Sequence, residues 1–182
     1  MFGNNEPVSL TRDCDAVIIP AGDVVRLNEG TSGFITQALG GSFTLYVEGN
    51  LFRIAGLDAD AIGKDPIEAP ALPPNASQQD IEALVWSQMA TCYDPEIPIN
   101  VVELGLIYEC NVSQTGDNEY LVDVQMTLTA PGCGMGEVLV ADVKEKVEII
   151  PTVKRADVEL VFDPPWDQSR MSDEARLEAG LM

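Results

Sequence analysis

Apolar and polar positions along this chain follow two different periods, and the change of period divides it. Up to residue 54 the apolar residues come in short runs: Ala16-Val17-Ile18-Ile19, Val24-Val25-Arg26-Leu27, Phe34-Ile35-Thr36, Ser42 to Val47 and Leu51 to Ile54. Glycine-bearing segments separate them, which predicts strands joined by tight turns, with Gly49-Asn50 as a two-residue hairpin loop. Residues 1–63 are therefore expected to form a small β-rich domain, an antiparallel sheet or barrel. Within it, polar Thr36, Gln37, Ser42 and Thr44 surround Gly40-Gly41, which reads either as a ligand-facing loop or as a plain β-turn.

Four prolines between Pro66 and Pro74 interrupt the pattern. Such a stretch favours polyproline II over helix or sheet, so residues 64–76 read as a semi-rigid linker. The period then becomes helical. Ser77 is a good N-cap with Asp80 three residues on, and Ile81, Leu84, Val85, Met89 and Cys92 fall on one face. Gly105 to Val112 and Tyr120 to Thr129 flank a Gly116-Asp117-Asn118 turn and predict a hairpin, with Leu106, Tyr108, Cys110 and Val112 on one face. A second helix carries Leu139, Val143, Val147 and Ile150 on one side, with Asp142, Lys144, Glu145 and Lys146 mostly on the other, and stops at Pro151. A third strand alternates Ala156, Val158, Leu160 and Phe162 against Asp157, Glu159 and Asp163. The fold class expected is α+β: a helix, hairpin, helix, strand sandwich over residues 77–182, with a terminal helix capped by Ser172.

Composition narrows the function. The formal charge of −20 repels phosphate backbones and anionic headgroups, so neither nucleic acid nor a membrane surface is an expected partner. No stretch reaches a membrane span and the first residues lack the layout of a signal peptide, so a cytoplasmic location is expected. The chain contains no histidine. That removes the usual general base and the commonest metal ligand, and an enzymatic role is not expected.

The four cysteines, Cys14, Cys92, Cys110 and Cys133, show no C-x-x-C spacing. Asp13 and Asp15 flank Cys14 and disfavour its thiolate. Cys92 and Cys110 sit on apolar faces. Cys133 differs, because the strand ending near Thr129 breaks at Pro131-Gly132 and passes through Gly134 and Gly136 into a helix. A cysteine ahead of a helix N-terminus is biased toward thiolate, and the glycines let backbone approach a ligand. The alternative is a buried, inert cysteine in a tight turn. Thr127 and Thr129 lead toward it and could donate hydroxyl hydrogen bonds. Asp94 and Glu96, beside Pro95 and Pro98, could bind a hard cation, cap a helix or face solvent. Trp166, after Asp163-Pro164-Pro165, suits either a docking surface or packing over the sheet.

Asp94-Pro95-Glu96-Ile97-Pro98-Ile99-Asn100, Glu103-Leu104-Gly105-Leu106-Ile107-Tyr108, Met126-Thr127-Leu128-Thr129-Ala130-Pro131-Gly132-Cys133 and Asp163-Pro164-Pro165-Trp166 resemble, in order and spacing, the metal-sulfur cluster biosynthesis family that includes SufT and the PaaD-like proteins. The resemblance spans residues 77 to 180. The first module is similar to the extension of the SufT branch, through Gln37-Ala38-Leu39-Gly40-Gly41-Ser42-Phe43-Thr44 and Asp58-Ala59-Asp60-Ala61-Ile62-Gly63. The resemblance implies an accessory role in maturing iron-sulfur proteins, with Cys133 matching the reactive cysteine and Asp94 and Glu96 the acidic loop motif. Gly134 stands where many members carry proline. One cysteine cannot enclose a cluster that normally takes four thiolates. The expectation is a labile, transferable iron-sulfur cluster held by Cys133, supported by Asp94, Glu96, Thr127, Thr129, Gly132 and Gly134 and shared across a homodimer or with a partner. The alternative is an adaptor that binds client apoproteins through Trp166, the terminal helix and the acidic surface without holding a cluster. Expected partners are iron-sulfur assembly proteins and client apoproteins.

Overall fold

The computed structural model describes residues 5–19, 21–39, 41–94, 97–129 and 136–181. It divides into two compact units, Met1–Glu68 and Ala69–Met182. In the first, β1 (Glu6–Ser9), β2 (Cys14–Ile19), β3 (Val24–Leu27), β4 (Ser32–Leu39), β5 (Ser42–Val47) and β6 (Asn50–Ile54) form one sheet in the order β1-β4-β5-β6-β2-β3. Every neighbouring pair is antiparallel.

The period of two sorts its faces. Ile35, Leu45, Phe52 and Ile18 lie opposite one another across four strands and form an inner row, with Leu45 fully buried. One residue along, Phe34, Tyr46, Leu51 and Ile19 make a parallel row on the outer face, where cross-strand apolar pairs add support. The hairpin loop between β5 and β6 is Glu48-Gly49 rather than Gly49-Asn50, and both its residues have positive φ, 48° and 89°. A two-residue turn of that kind wants glycine at its second central position, which moves the loop back by one residue. A 3₁₀ segment, Gly56–Ile62, follows β6. Arg12 clamps it with a forked pair to Asp60, at 2.8 and 2.9 Å, and a third contact to Asp58 at 3.0 Å.

The second unit contains α1 (Gln78–Met89), β7 (Ile107–Gly116), β8 (Glu119–Met126), α2 (Gly136–Glu148), β9 (Val153–Leu160) and α3 (Asp173–Glu178), so it is α+β. The sheet runs β7-β8-β9, with β7 and β8 antiparallel and β8 and β9 parallel. Ile81, Val85 and Met89 of α1 meet Val122, Val124 and Met126 of β8 and Leu139, Val143 and Val147 of α2 in one core. Ser77 starts α1 through a reciprocal capping box with Asp80. Both outer strands have a carbonyl taken by a side chain: Gln78 donates to Val112 at 2.8 Å and Lys144 to Ala156 at 2.7 Å.

Helix α2 departs from the expected two-sided pattern. Asp142 and Lys146 are buried, at 5% and 2% exposure, as an ion pair with an N···O distance of 3.5 Å. The reason is that α2 packs on α1 as well as beside β9, so a second strip of the helix is covered. Gln88 of α1 donates to the Lys146 carbonyl at 2.9 Å along that contact. Buried charges persist only when paired, and an i, i+4 spacing supplies the pair.

Replacing Ser77 by alanine removes the hydroxyl from the capping box, and a lost N-cap costs about 1 kcal/mol. Urea unfolding of the S77A variant should show that decrease with an unchanged m-value.

Candidate functional site

The end of β8 is fixed by a run of backbone hydrogen bonds that begins in the loop after α1. Val101 N–H donates to the Cys92 carbonyl at 2.8 Å, Leu106 N–H to Val101 at 3.0 Å, and Thr127 N–H to Leu106 at 2.8 Å. The loop carrying Asp94 is thereby joined to the exit of the central strand. Asp94 is 6% exposed, and its Oδ1 accepts from the Ile97 N–H at 3.0 Å while its own N–H donates to the Ile99 carbonyl at 3.2 Å. Its carboxylate therefore shapes the Asp94 to Asn100 loop. Asn100 continues the turn, its Oδ1 accepting from the Val102 and Glu103 N–H groups, each at 3.0 Å.

Beyond Met126 the alternation stops. Met126, Thr127 and Leu128 are all buried, so both faces of the chain are covered at the strand exit. Its hydroxyl is enclosed and has no hydrogen-bond partner among the described residues. A buried hydroxyl without a partner costs about 1–3 kcal/mol, and such an atom is poised to accept or donate when a ligand arrives. Thr129 is half-buried. Leu128 presses on the first residue of α2: a Cβ added to Gly136 would meet Leu128 Cδ1 at 2.8 Å and Leu160 Cδ1 at 3.3 Å. Glycine there lets α2 start against the strand exit. Glu96, Gly132, Cys133 and Gly134 lie outside the described residues.

Environment sets the other three cysteines apart. Cys92 is fully buried in the core. Burial, then Asp58, pushes the Cys14 thiol up, and its Sγ–H donates to the Asp15 carbonyl at 3.3 Å. Cys110 is half-buried and its thiol is pushed up to about 11, first by burial and then by Glu82. Cys14 and Cys110 are thereby held away from the thiolate that metal binding and nucleophilic attack require. Among the described residues no group of three or more His, Cys, Asp or Glu could hold a metal ion.

A second assembly braces the turn between Asn100 and β7. The Trp166 indole N–H donates to the Leu104 carbonyl at 2.7 Å, and the half-buried ring packs against the core. Ser172 N–H donates to the Glu103 carbonyl at 2.9 Å, and its hydroxyl donates to the Glu103 carboxylate while also capping α3 at Ala175. Tyr108 donates its hydroxyl to the Pro164 carbonyl at 2.8 Å. Gly105 has φ +73°, and a Cβ on it would fall 2.2 Å from the Arg170 carbonyl oxygen. Local pattern gives Ser172 its cap and Tyr108 its strand face, but not the contacts that Glu103, Tyr108, Arg170 and Ser172 make across the fold. Their partners stand more than 50 residues away in sequence, beyond the reach of periodicity.

Comparison with known proteins shows what the chain is similar to. A family model described as "Iron-sulfur cluster assembly protein" matches residues 82–160. An "Fe-S protein maturation auxiliary factor" of Porphyromonas gingivalis is 46% identical over 94 residues, covering 52% of this chain and 86% of that protein. The "Fe-S protein maturation auxiliary factor SufT" of Staphylococcus aureus is 40% identical over 88 residues, 48% of this chain and 96% of that protein. Among solved structures, a domain of unknown function from Bacillus anthracis is 32% identical and covers 58% of this chain and 96% of its own, with a TM-score of 0.49.

Two outcomes follow for the braces and the thiols. Gly105→Ala combines an unfavourable positive φ with a backbone clash, and should cost about 2–4 kcal/mol in denaturant unfolding. Above the ordinary thiol range the unfolded chain ionises Cys110 first, while the folded chain keeps that proton to about pH 11. The native state then binds more protons, so stability falls as pH rises through this window. Cys110→Ala should flatten the fall, as read from unfolding midpoints between pH 8 and 11.

Proposed function

The chain belongs to the iron-sulfur cluster assembly protein family, and from that premise we propose that it serves as an accessory factor in the maturation of iron-sulfur proteins, with Cys133 as ligand of a transient cluster. The observation that carries the reading is the state of the other cysteines. Cys14, Cys92 and Cys110 are buried or half-buried, and the thiols of Cys14 and Cys110 are pushed up, which leaves Cys133, three residues ahead of α2 in sequence, as the thiolate donor.

The cluster is cargo in this account. With one donor per chain, a second copy or a partner's thiols complete its coordination, so the loaded species is a homodimer or a complex with an assembly protein. Incomplete, shared ligation also makes the cluster easy to pass to a client apoprotein. Thr127 offers a hydroxyl that is unpaired among the described residues, and Thr129, Gly132 and Gly134 bracket the cysteine in sequence. Asp94 and Glu96 contribute through their loop. For Asp94 that contribution is to hold the loop's shape, since its Oδ1 is engaged by the Ile97 amide. No bond of the client is made or broken by a side chain of this chain, which makes the role non-enzymatic, in the cytoplasm where assembly proteins and clients meet. No helix of the described residues is long and apolar enough to cross a membrane.

An adaptor that docks clients through Trp166 draws less support, because the indole N–H is committed to Leu104 and the ring is packed.

Anaerobic reconstitution with iron and sulfide, read by visible absorption and metal analysis, should load the parent and leave Cys133→Ala without cluster; equal loading of both would remove Cys133 from the site. Thr127→Val discards a buried unpaired hydroxyl at nearly constant shape. It should raise the stability of the cluster-free protein by about 1 kcal/mol and shorten the lifetime of the bound cluster in air.

A further inference from the structure

An open groove of about 440 Å³ lies in the second unit between Gly105, Ile107, Tyr108, Pro164 and Arg170. Its walls are an aliphatic side chain and a proline, and its rim is a guanidinium. In a chain of 30 acidic and 10 basic residues most cations are neutralised internally, as in the pairs of Arg12 with Asp60, Lys64 with Glu6 and Arg155 with Asp157. Arg170 is different. Its exposed guanidinium forms no ion pair and no side-chain hydrogen bond among the described residues, and its Cζ lies 4.4 Å from the centre of the Tyr108 ring. The nearby carboxylate of Asp167 is bonded by the amide and hydroxyl of Ser169 first, with the charges of Arg170 and Arg176 acting on it more weakly and without a contact.

The donor has two contacts, and the ring it rests on is itself anchored. The Arg170 carbonyl abuts Gly105, the guanidinium rests on Tyr108, and the Tyr108 hydroxyl is tied to Pro164. Cation–π stacking leaves the guanidinium's in-plane N–H groups free, and these are the groups that receive a carboxylate in forked geometry. Preorganisation lowers the entropic cost of using them.

We propose that this groove is a docking site for an acidic segment of a partner protein, with a carboxylate on Arg170 and an adjoining apolar side chain on Ile107 and Pro164. A protein segment fits better than a free carboxylate, because the groove is open and shallow and would leave most of a small anion hydrated, whereas a chain adds apolar contact beside the charge. An exposed Arg–carboxylate pair contributes little alone, so both contacts are needed. The site stands whether or not Cys133 carries a cluster.

The test is fluorescence anisotropy at low salt with a fluorescein-labelled heptapeptide centred on Leu-Asp-Leu, its Leu-Asn-Leu analogue, and the full chain as parent, Arg170→Gln and Arg170→Lys. The acidic peptide should bind the parent and weaken at least tenfold in Arg170→Gln, with Arg170→Lys intermediate. The amide analogue should bind the parent no better than the acid binds Arg170→Gln. Thermal melts of the variants confirm that they fold. Equal binding of acid and amide peptides, unchanged binding in Arg170→Gln, absence of binding up to millimolar protein, or displacement by micromolar citrate would each overturn the proposal.

Discussion

The hydrogen bond from the Thr127 N–H to the Leu106 carbonyl is the constraint on which the second unit's chemistry depends. It joins the exit of the central strand to a turn that is itself bonded to Val101 and, through Val101, to Cys92 at the end of α1. Among the described residues, Thr127 is held by that bond, Asp94 by the Ile97 amide and Leu128 lies against Gly136 at the head of α2. Burial of Met126, Thr127 and Leu128 in succession excludes water from this corner. A polar ligand there would meet an unpaired hydroxyl in low dielectric, where hydrogen bonds are stronger than in water.

The same turn is braced from its other side by Trp166, Ser172 and Arg170. The C-terminal residues thus fix Glu103 to Gly105, and they leave the Arg170 guanidinium exposed beside a groove of mixed polarity. Charge is spent differently in the interior, where Asp142 and Lys146 form a buried pair along the contact between the two helices. On an acidic surface, Arg170 stacked on Tyr108 sets a cation at the groove.

Much of this was readable from the sequence because it is local. The inner row Ile35, Leu45, Phe52 and the capping box of Ser77 and Asp80 follow from period and short-range pairing. The strand β1 was missed, since Glu6-Pro7-Val8-Ser9 carries little β pattern and is held by pairing with β4. The inward turn of Asp142 and Lys146 was hidden because nothing in a helix's own sequence says that a second helix will cover it. Alternation alone does not tell that Thr127 is covered, because its N–H bonds the Leu106 carbonyl 21 residues earlier in the chain. The brace between Glu103 and Ser172 depends on contact 69 residues apart. The chain's four quoted motifs mark its attachment to the family, yet physical roles for Glu103 and Tyr108 emerged only from the three-dimensional contacts.

The central claim is that a cluster passes through Cys133 on its way to a client. Its most direct test is transfer: the protein, loaded anaerobically with isotopically labelled iron, is mixed with an apo-ferredoxin in the presence of a chelator that captures free iron, and the client's iron is followed over time. Label should appear in the ferredoxin faster than the chelator traps it, and should be lost with Cys133→Ala. Loading of the ferredoxin at the same rate with the variant, or complete interception by the chelator, would contradict the account.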